Sequence, residues 1–208
     1  MKNKEGNKVK YKILAISDIH ILKKYSINLI LEKFKDIDFI ISAGDVSNDY
    51  LDYLASILNK DIIYVNGNHV YNEKHNISFC KNIDGKIIKY KDIYIFGLDG
   101  SRVYSFKKHQ YTEREMFIKI LKNIPRLILH KPDIVVTHAP IRYIHDKEEH
   151  VHKGFRVFYK VINWFHPKLW IHGHIHLSNH YEIQETEYNG TRIINAYGYK
   201  LIEFQKDT

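Results

Sequence analysis

At 208 residues, 44% hydrophobic and 27% charged, the chain is long enough to bury a core and short enough to be one domain. Its single cysteine, Cys80, excludes an internal disulfide framework and a cysteine-based zinc knuckle. The formal charge of +8 comes from lysines scattered along the chain with no block of five or more, which reads as solvated surface rather than a nucleic-acid stripe. No apolar run is long enough to span a membrane, and the Lys/Asn-rich first dozen residues lack a signal-peptide core. A cytoplasmic protein is expected, with residues 1–10 as a flexible extension of a single domain over 1–208.

The elements alternate from the start. Lys12 to Ser17 reads as a buried strand, Tyr25 to Lys35 as a helix with Ile27, Ile30, Leu31 and Phe34 on one face, and Phe39 to Ser42 as a second strand. Asp49 to Leu58 is helical by the same spacing, and Ile62 to Val65 is a third strand. Strand, helix, strand, helix, strand is the pattern of a parallel sheet covered by helices. Lys86 to Tyr90 and Ile93 to Leu98 read as two strands joined at Lys91-Asp92. Thr112-Glu-Arg-Glu115 has capping-box form and predicts a helix to about Asn123, with Pro125 as a boundary. Ile134 to Thr137 is a buried strand, 141–153 a polar loop, and Gly154 to Phe165 an amphipathic helix. Lys168 to Ile171 leads a strand into His172, and Thr191 to Ala196 with Tyr199 to Phe204 close the chain as a strand pair. Trp164, Trp170, Phe155 and Phe158 read as core, and Cys80 as an inert buried thiol.

Five strands end in residues able to hold a metal: Asp18-x-His20, Gly44-Asp45, Gly67-Asn68-His69, His138 and His174-x-His176. Ligands of α/β sheets collect beyond the carboxyl ends of the strands, so these clusters should converge. One acidic residue in a turn is usually a cap or turn former; five clusters, each just past an apolar strand, are not explained by capping. If the backbone after Ile171 stays extended, His172, His174 and His176 fall on one side, with Gly173 letting the chain pass close to whatever the rings hold.

These blocks, with Thr137-His138-Ala-Pro140, resemble in order and spacing the signature motifs of the calcineurin-like metallophosphoesterases, over residues 18 to 176. Between them, His109-Gln-Tyr-Thr-Glu-Arg-Glu-Met116, His145-Asp146, His152-x-Gly-Phe155 and Asn195-Ala-Tyr-Gly198 resemble one small bacterial-type subset of the family. The resemblance implies a four-layer α-β-β-α sandwich, with central β-sheets flanked by helices. It also implies two divalent ions: Asp18, His20 and His176 on one, Asn68, His138 and His174 on the other, and Asp45 bridging. Mixed oxygen and nitrogen donors favour Mn, Fe, Zn, Co or Ni over Ca or Mg. The implied activity is metal-dependent hydrolysis of a phosphodiester or small phosphomonoester, a metal-bridging hydroxide attacking in line. His69, not a ligand in that scheme, is the expected catalytic group, as general acid or charge stabiliser beside the leaving group.

Two positions depart from the family pattern. Val70 stands where an acid commonly follows Gly-Asn-His, and Asn48 (with Asp49 next door) stands where a further acid often follows Gly-Asp. The loop from Arg142 to His152 follows His138 directly and is the expected source of substrate selection. Arg142 is placed to grip a phosphate oxygen, with His145, Asp146, Glu149 and His152 as a polar rim or a brace behind His138. Arg102 is a second phosphate candidate, and His172 is expected to pack in the strand end or support a ligand. Two other functions remain open, a metal-dependent nuclease and a scaffold that keeps the fold as an interaction surface. All seven expected ligands and His69 are present, which favours an enzyme.

Overall fold

Strands that are apolar at every position must be covered on both faces, and the fold meets that demand with two sheets packed face to face. The computed structural model describes residues 8–69, 79–105, 107–178 and 182–207. The first half runs β1 (Lys8–Ser17), α1 (Ile27–Phe34), β2 (Phe39–Ser42), α2 (Asn48–Leu58), β3 (Ile62–Tyr64) and β4 (Cys80–Asn82). There follow β5 (Lys86–Tyr90), β6 (Ile93–Leu98), β7 (Ser101–Arg102), β8 (Gln110–Tyr111), α3 (Glu113–Leu121) and α4 (Ile124–Leu129). The chain closes with β9 (Ile134–Thr137), α5 (Phe158–Phe165), β10 (Leu169–His172), β11 (Glu185–Tyr188), β12 (Thr191–Asn195) and β13 (Gly198–Asp207). One sheet has the order β13-β1-β2-β3-β4, the other β11-β12-β10-β9-β6-β5, and β7 and β8 form a small ladder of their own. The inner strands of each large sheet are parallel; β13 on β1, β11 on β12 and β5 on β6 are antiparallel.

Strand alternation sorts the side chains into layers. Ile13, Ala15, Phe39 and Ile41 of one sheet meet Ile134, Val136, Leu169 and Ile171 of the other in a shared core. The intervening Leu14, Ile16 and Ile40 face α1 and α2 with Ile30, Phe34, Leu51 and Leu54. Val135, Trp170 and Ile193 face α3, α4 and α5 with Met116, Ile120, Leu127, Val161 and Ile162. The layer order is α-β-β-α. Among the described residues no helix is long and apolar enough to cross a membrane.

Most predicted elements are present, several with shifted bounds. The first strand begins at Lys8, because its outer half pairs residue for residue with β13. The Thr112 capping box forms, and Pro125 sits in the first turn of α4, where its missing N–H has no helical partner to lose. Helix α5 starts at Phe158 rather than Gly154, because 154–156 lie against 140–142: Phe155 donates to Pro140 O at 3.1 Å and Arg142 to Phe155 O at 3.2 Å. Trp164 is not core. Helix α5 buries Phe158, Val161, Ile162 and Phe165, and Trp164 falls on the opposite face, 44% exposed under Lys160. Val70 lies outside the described residues.

Candidate metal centre

Each cluster sits where a strand of the inner layers stops. Asp18 follows β1, Asp45 lies just past β2, and His174 lies just past β10; all three have left-handed backbone, with φ of 65°, 54° and 69°. That conformation is uncommon for non-glycine residues and gathers at functional sites. It turns these three strand ends inward. Backbone bonds tie the loops together: Asp18 donates to Gly44 O, Gly173 to His138 O, and Gly100 to Asn66 O. Two glycines make the approach possible. A Cβ on Gly67 would lie 1.8 Å from Asp45 Oδ1, and one on Gly173 would lie 2.7 Å from the Ser17 side chain and 2.8 Å from Asp18 Oδ2.

At the centre, one ligand atom each from Asp45, His138 and His174 lie within 4.8 Å of one another, all three side chains buried. Nδ1–H of His138 donates to Ala43 O at 2.8 Å, so its Nε2 faces Asn68 Oδ1 at 2.9 Å and Asp45 Oδ2 at 3.3 Å. Asn68 holds that orientation by donating Nδ2 to the Tyr104 hydroxyl at 2.8 Å. His174 donates Nε2–H to Val151 O at 2.8 Å, leaving the lone pair of its Nδ1 available. A ring nitrogen tied to a backbone carbonyl while the other faces the site is the usual dress of a metal-binding histidine.

The charges agree. Burial alone would push Asp45 up, but His138 and His69 outweigh it and hold the carboxyl well below its ordinary range. Burial would lower His138, yet Asp45 and Asp18 raise it to about 9. Burial, then His138, lowers His174 to about 3, which keeps its lone pair available. Burial lifts Asp18 above the carboxylate range although Ser17 and the N–H of His174 donate to it. Asp45, His138 and His174 converge with Asn68 and Asp18 beside them as a mixed oxygen and nitrogen set of the kind that suits divalent cations, once the proton on His138 is displaced.

The second expected set is more open. His176 Nε2 is 3.8 Å from Asp18 Oδ1, its side chain 60% exposed and its ring over Tyr197. His20 accepts the Ser47 backbone N–H at Nε2, 3.0 Å away, and lies against the Tyr50 ring. His69 sits at the rim, its Nδ1 2.6 Å from Asp45 Oδ2 and its backbone N–H on Oδ1 at 2.9 Å. His172 does not share a face with His174 and His176. The strand ends at His172, the left-handed turn at His174 breaks the alternation, and His172 is buried against His145.

The Arg142 side chain is turned away from the cluster, while the far end of its loop reaches it through Val151 O and through His152, whose ring lies 5.6 Å from that of His174. The Arg142 guanidinium is buried, with Nη1 on Asp146 at 2.6 Å and Nη2 on both Glu148 oxygens at 2.8 Å. His145 bridges His172 Nε2 (3.0 Å) and Thr186 Oγ1 (2.8 Å), and burial lowers it to about 4. Neither lines the pocket beside Asp45 and His69. Arg102 lies 3.8 Å from Glu113. Burial pushes the Cys80 thiol up to about 12, consistent with an unreactive group. Sequence reading quoted His109 in a motif without a role and passed over Asp99, which the structure pairs with it at 2.5 Å. Asp99 follows β6 just as Asp18 follows β1, and that signal was available.

A family model described as calcineurin-like phosphoesterase matches residues 11–178. Among solved structures, the protein TT1561 of Thermus thermophilus is similar with a TM-score of 0.63 at 12% identity, covering 96% of this chain and 99% of that one. An archaeal phosphodiesterase (TM-score 0.45, 15% identity, 93% and 99% covered) and vacuolar protein sorting 29 from Cryptosporidium parvum (0.46, 11%, 96% and 99%) also match. No curated protein sequence matches the chain.

Proposed function

The chain belongs to the calcineurin-like phosphoesterase family, and from that premise we propose that it is a divalent-metal-dependent phosphoester hydrolase acting on a phosphodiester or small phosphomonoester. Asn68, His138 and His174 would hold one ion and Asp18, His20 and His176 a second, with Asp45 shared between them. The observation that carries the reading is His138: Nδ1–H is fixed on Ala43 O while Nε2 points at two oxygens that offer only lone pairs. A cation satisfies all three. Bound divalent ions of the Mn, Fe, Zn, Co or Ni group supply water activation near neutral pH and offset phosphoryl charge.

The chain's own groups do the rest. Asp18 and Asp45 cancel two of the four positive charges of an ion pair, leaving a net charge that attracts a phosphate anion. Val151 O and Ala43 O fix which ring nitrogens ligate. His69, exposed at the rim, is within reach of a phosphoryl group at the cluster and stabilises its charge.

The test is direct. Protein stripped with chelator and reloaded with Mn²⁺ is assayed on bis(p-nitrophenyl) phosphate and on p-nitrophenyl phosphate. Metal restores hydrolysis, Asp45→Ala abolishes it, and His69→Ala keeps the metal but loses about 10²-fold or more in turnover. Fully loaded protein that cleaves neither ester overturns the reading.

A further inference from the structure

One side chain of the cluster serves a cation only one way round. Asn68 turns Oδ1 toward His138 Nε2, 2.9 Å away, and the residue is 3% exposed, so solvent does little to hold it. Turned over about its last bond, the same amide would put Nδ2 in that place. The nitrogen carries two hydrogens and offers no lone pair to a cation. The bond that opposes the turn runs from Nδ2 to the Tyr104 hydroxyl, 2.8 Å away.

Tyr104 owes its place to a built loop. It follows β7, whose Ser101 and Arg102 pair with Gln110 and Tyr111 of β8. Gln110 commits its whole side-chain amide to that loop. Its Oε1 accepts the backbone N–H groups of Tyr104 at 3.2 Å and Ser105 at 2.9 Å, and its Nε2 donates to Ser105 Oγ at 2.9 Å. The Val103 N–H on Tyr111 O extends the ladder, and the capped start of α3 follows at Thr112. The near end of the ladder is tied to the loop of Asn68 itself, because Gly100 donates to Asn66 O at 3.0 Å. Hydroxyl and amide therefore meet between two loops already bonded to each other, with the Tyr104 ring half-buried between them and solvent.

We propose that Tyr104 is a positioning residue of the metal centre: set in place by Gln110, its hydroxyl keeps the Asn68 oxygen toward the ion that Asn68, His138 and His174 would share. Tyr104 acts through Asn68 and not on the reacting atoms. Without the hydroxyl, the buried Nδ2 has lost its acceptor, and the amide gains by turning its N–H groups toward the lone pairs of the cluster. Partners that stand behind a ligand in this way are worth about 10–100-fold in metal affinity. The stretch from His109 to Met116 thereby acquires a task, since its Gln110 carries the loop.

The inference rests on the hydrolase reading, and its test reads metal before turnover. Mn²⁺ is titrated into chelator-stripped wild type, Tyr104→Phe, Asn68→Asp and the double variant, with free Mn²⁺ followed by electron paramagnetic resonance. Phenylalanine keeps the ring and removes only the hydroxyl. Tyr104→Phe should weaken one of the two binding steps about 10–100-fold and leave the other as it is. A carboxylate presents an oxygen whichever way it is turned, so in the Asn68→Asp background the same change should cost less than about threefold. Unaltered affinity in Tyr104→Phe, equal weakening of both steps, or an equal loss in both backgrounds overturns the role of Tyr104.

Turnover gives a second readout. On bis(p-nitrophenyl) phosphate, the rate lost in Tyr104→Phe should return at saturating Mn²⁺. A loss that persists with both ions bound places Tyr104 on the substrate and overturns its action through Asn68. Loaded wild type that cleaves neither that diester nor p-nitrophenyl phosphate overturns the hydrolase reading, while the Mn²⁺ isotherms still decide the role of Tyr104. Wild type that takes up no Mn²⁺ overturns both.

Discussion

Nε2 of His138 lies 2.9 Å from Oδ1 of Asn68, with the opposite ring nitrogen already donating to Ala43. Two lone pairs at that separation need something positive between them. Asp45 and Asp18 supply the field, raising His138 to about 9, so at neutral pH a proton stands where the proposed ion would bind.

Metal uptake should therefore displace that proton. At pH 7 binding of Mn²⁺ releases about one proton from His138, and affinity rises with pH until about 9, where the proton is already gone. Calorimetry in two non-chelating buffers of different ionisation enthalpy measures the release. Identical heats in both would show that Nε2 carries no proton in the metal-free protein.

Gly67→Ala tests how tightly the strand ends are drawn together. The new methyl would meet the Asp45 carboxylate at 1.8 Å and its backbone nitrogen at 2.6 Å, neither of which is a flexible tail. Overpacking of this kind costs roughly 1–3 kcal/mol, and here it displaces Asp45, the proposed bridging ligand. We expect a lowered urea midpoint and loss of bound Mn²⁺ by elemental analysis. Full metal stoichiometry in the variant would mean that Asp45 does not need this approach.

The residues that could be read from sequence share one property: their environment is set locally. Phe39–Ser42 and Ile134–Thr137 are apolar at nearly every position, so any fold must bury both faces, and β2 and β9 have those bounds. Thr112 and Glu115 satisfy each other across one helical turn. Cys80–Asn82 and Glu185–Tyr188 carry no such pattern. They are half-exposed edge strands whose extended form is imposed by pairing with β3 and β12. In the site, the strand-end rule located Asp18, Asp45, Asn68, His138 and His174, while His172 needed the backbone turn at His174 to be known. Arg142 was misplaced for a similar reason. A loop guanidinium facing a phosphate and one facing Asp146 and Glu148 look alike until the loop closes.

Arg142→Ala separates those two roles. Asp146 is 5% exposed in its side chain and loses its cation, a change that costs roughly 3 kcal/mol when a buried pair is broken from one side. Glu148 is 76% exposed, so solvent screens its share of the pair. The loop that Arg142 braces also carries Val151, whose carbonyl sets the His174 ring. The expected result is lower stability and lower kcat at nearly unchanged KM. A raised KM with stability and kcat intact would return Arg142 to the phosphate.

Stability should depend on pH through a histidine outside the cluster. His145 sits between His172 and Thr186, and burial pushes it from 6.5 to about 4, with Glu185 pulling weakly the other way. Its folded form stays neutral between those values while the unfolded chain takes up a proton. The unfolded state thus binds more protons in that window, and stability falls as pH drops from 6.5 toward 4. At about 1.4 kcal/mol for each unit of separation, the share of His145 reaches on the order of 3 kcal/mol at the acid end. His172, pushed to about 3 by burial and by His145, adds to the same slope. His145→Asn should flatten the dependence of unfolding free energy on pH between about 6.5 and about 4.5 without removing it. Urea titrations at half-unit intervals measure it. Parallel curves for wild type and variant would mean that His145 is already solvated in the folded state.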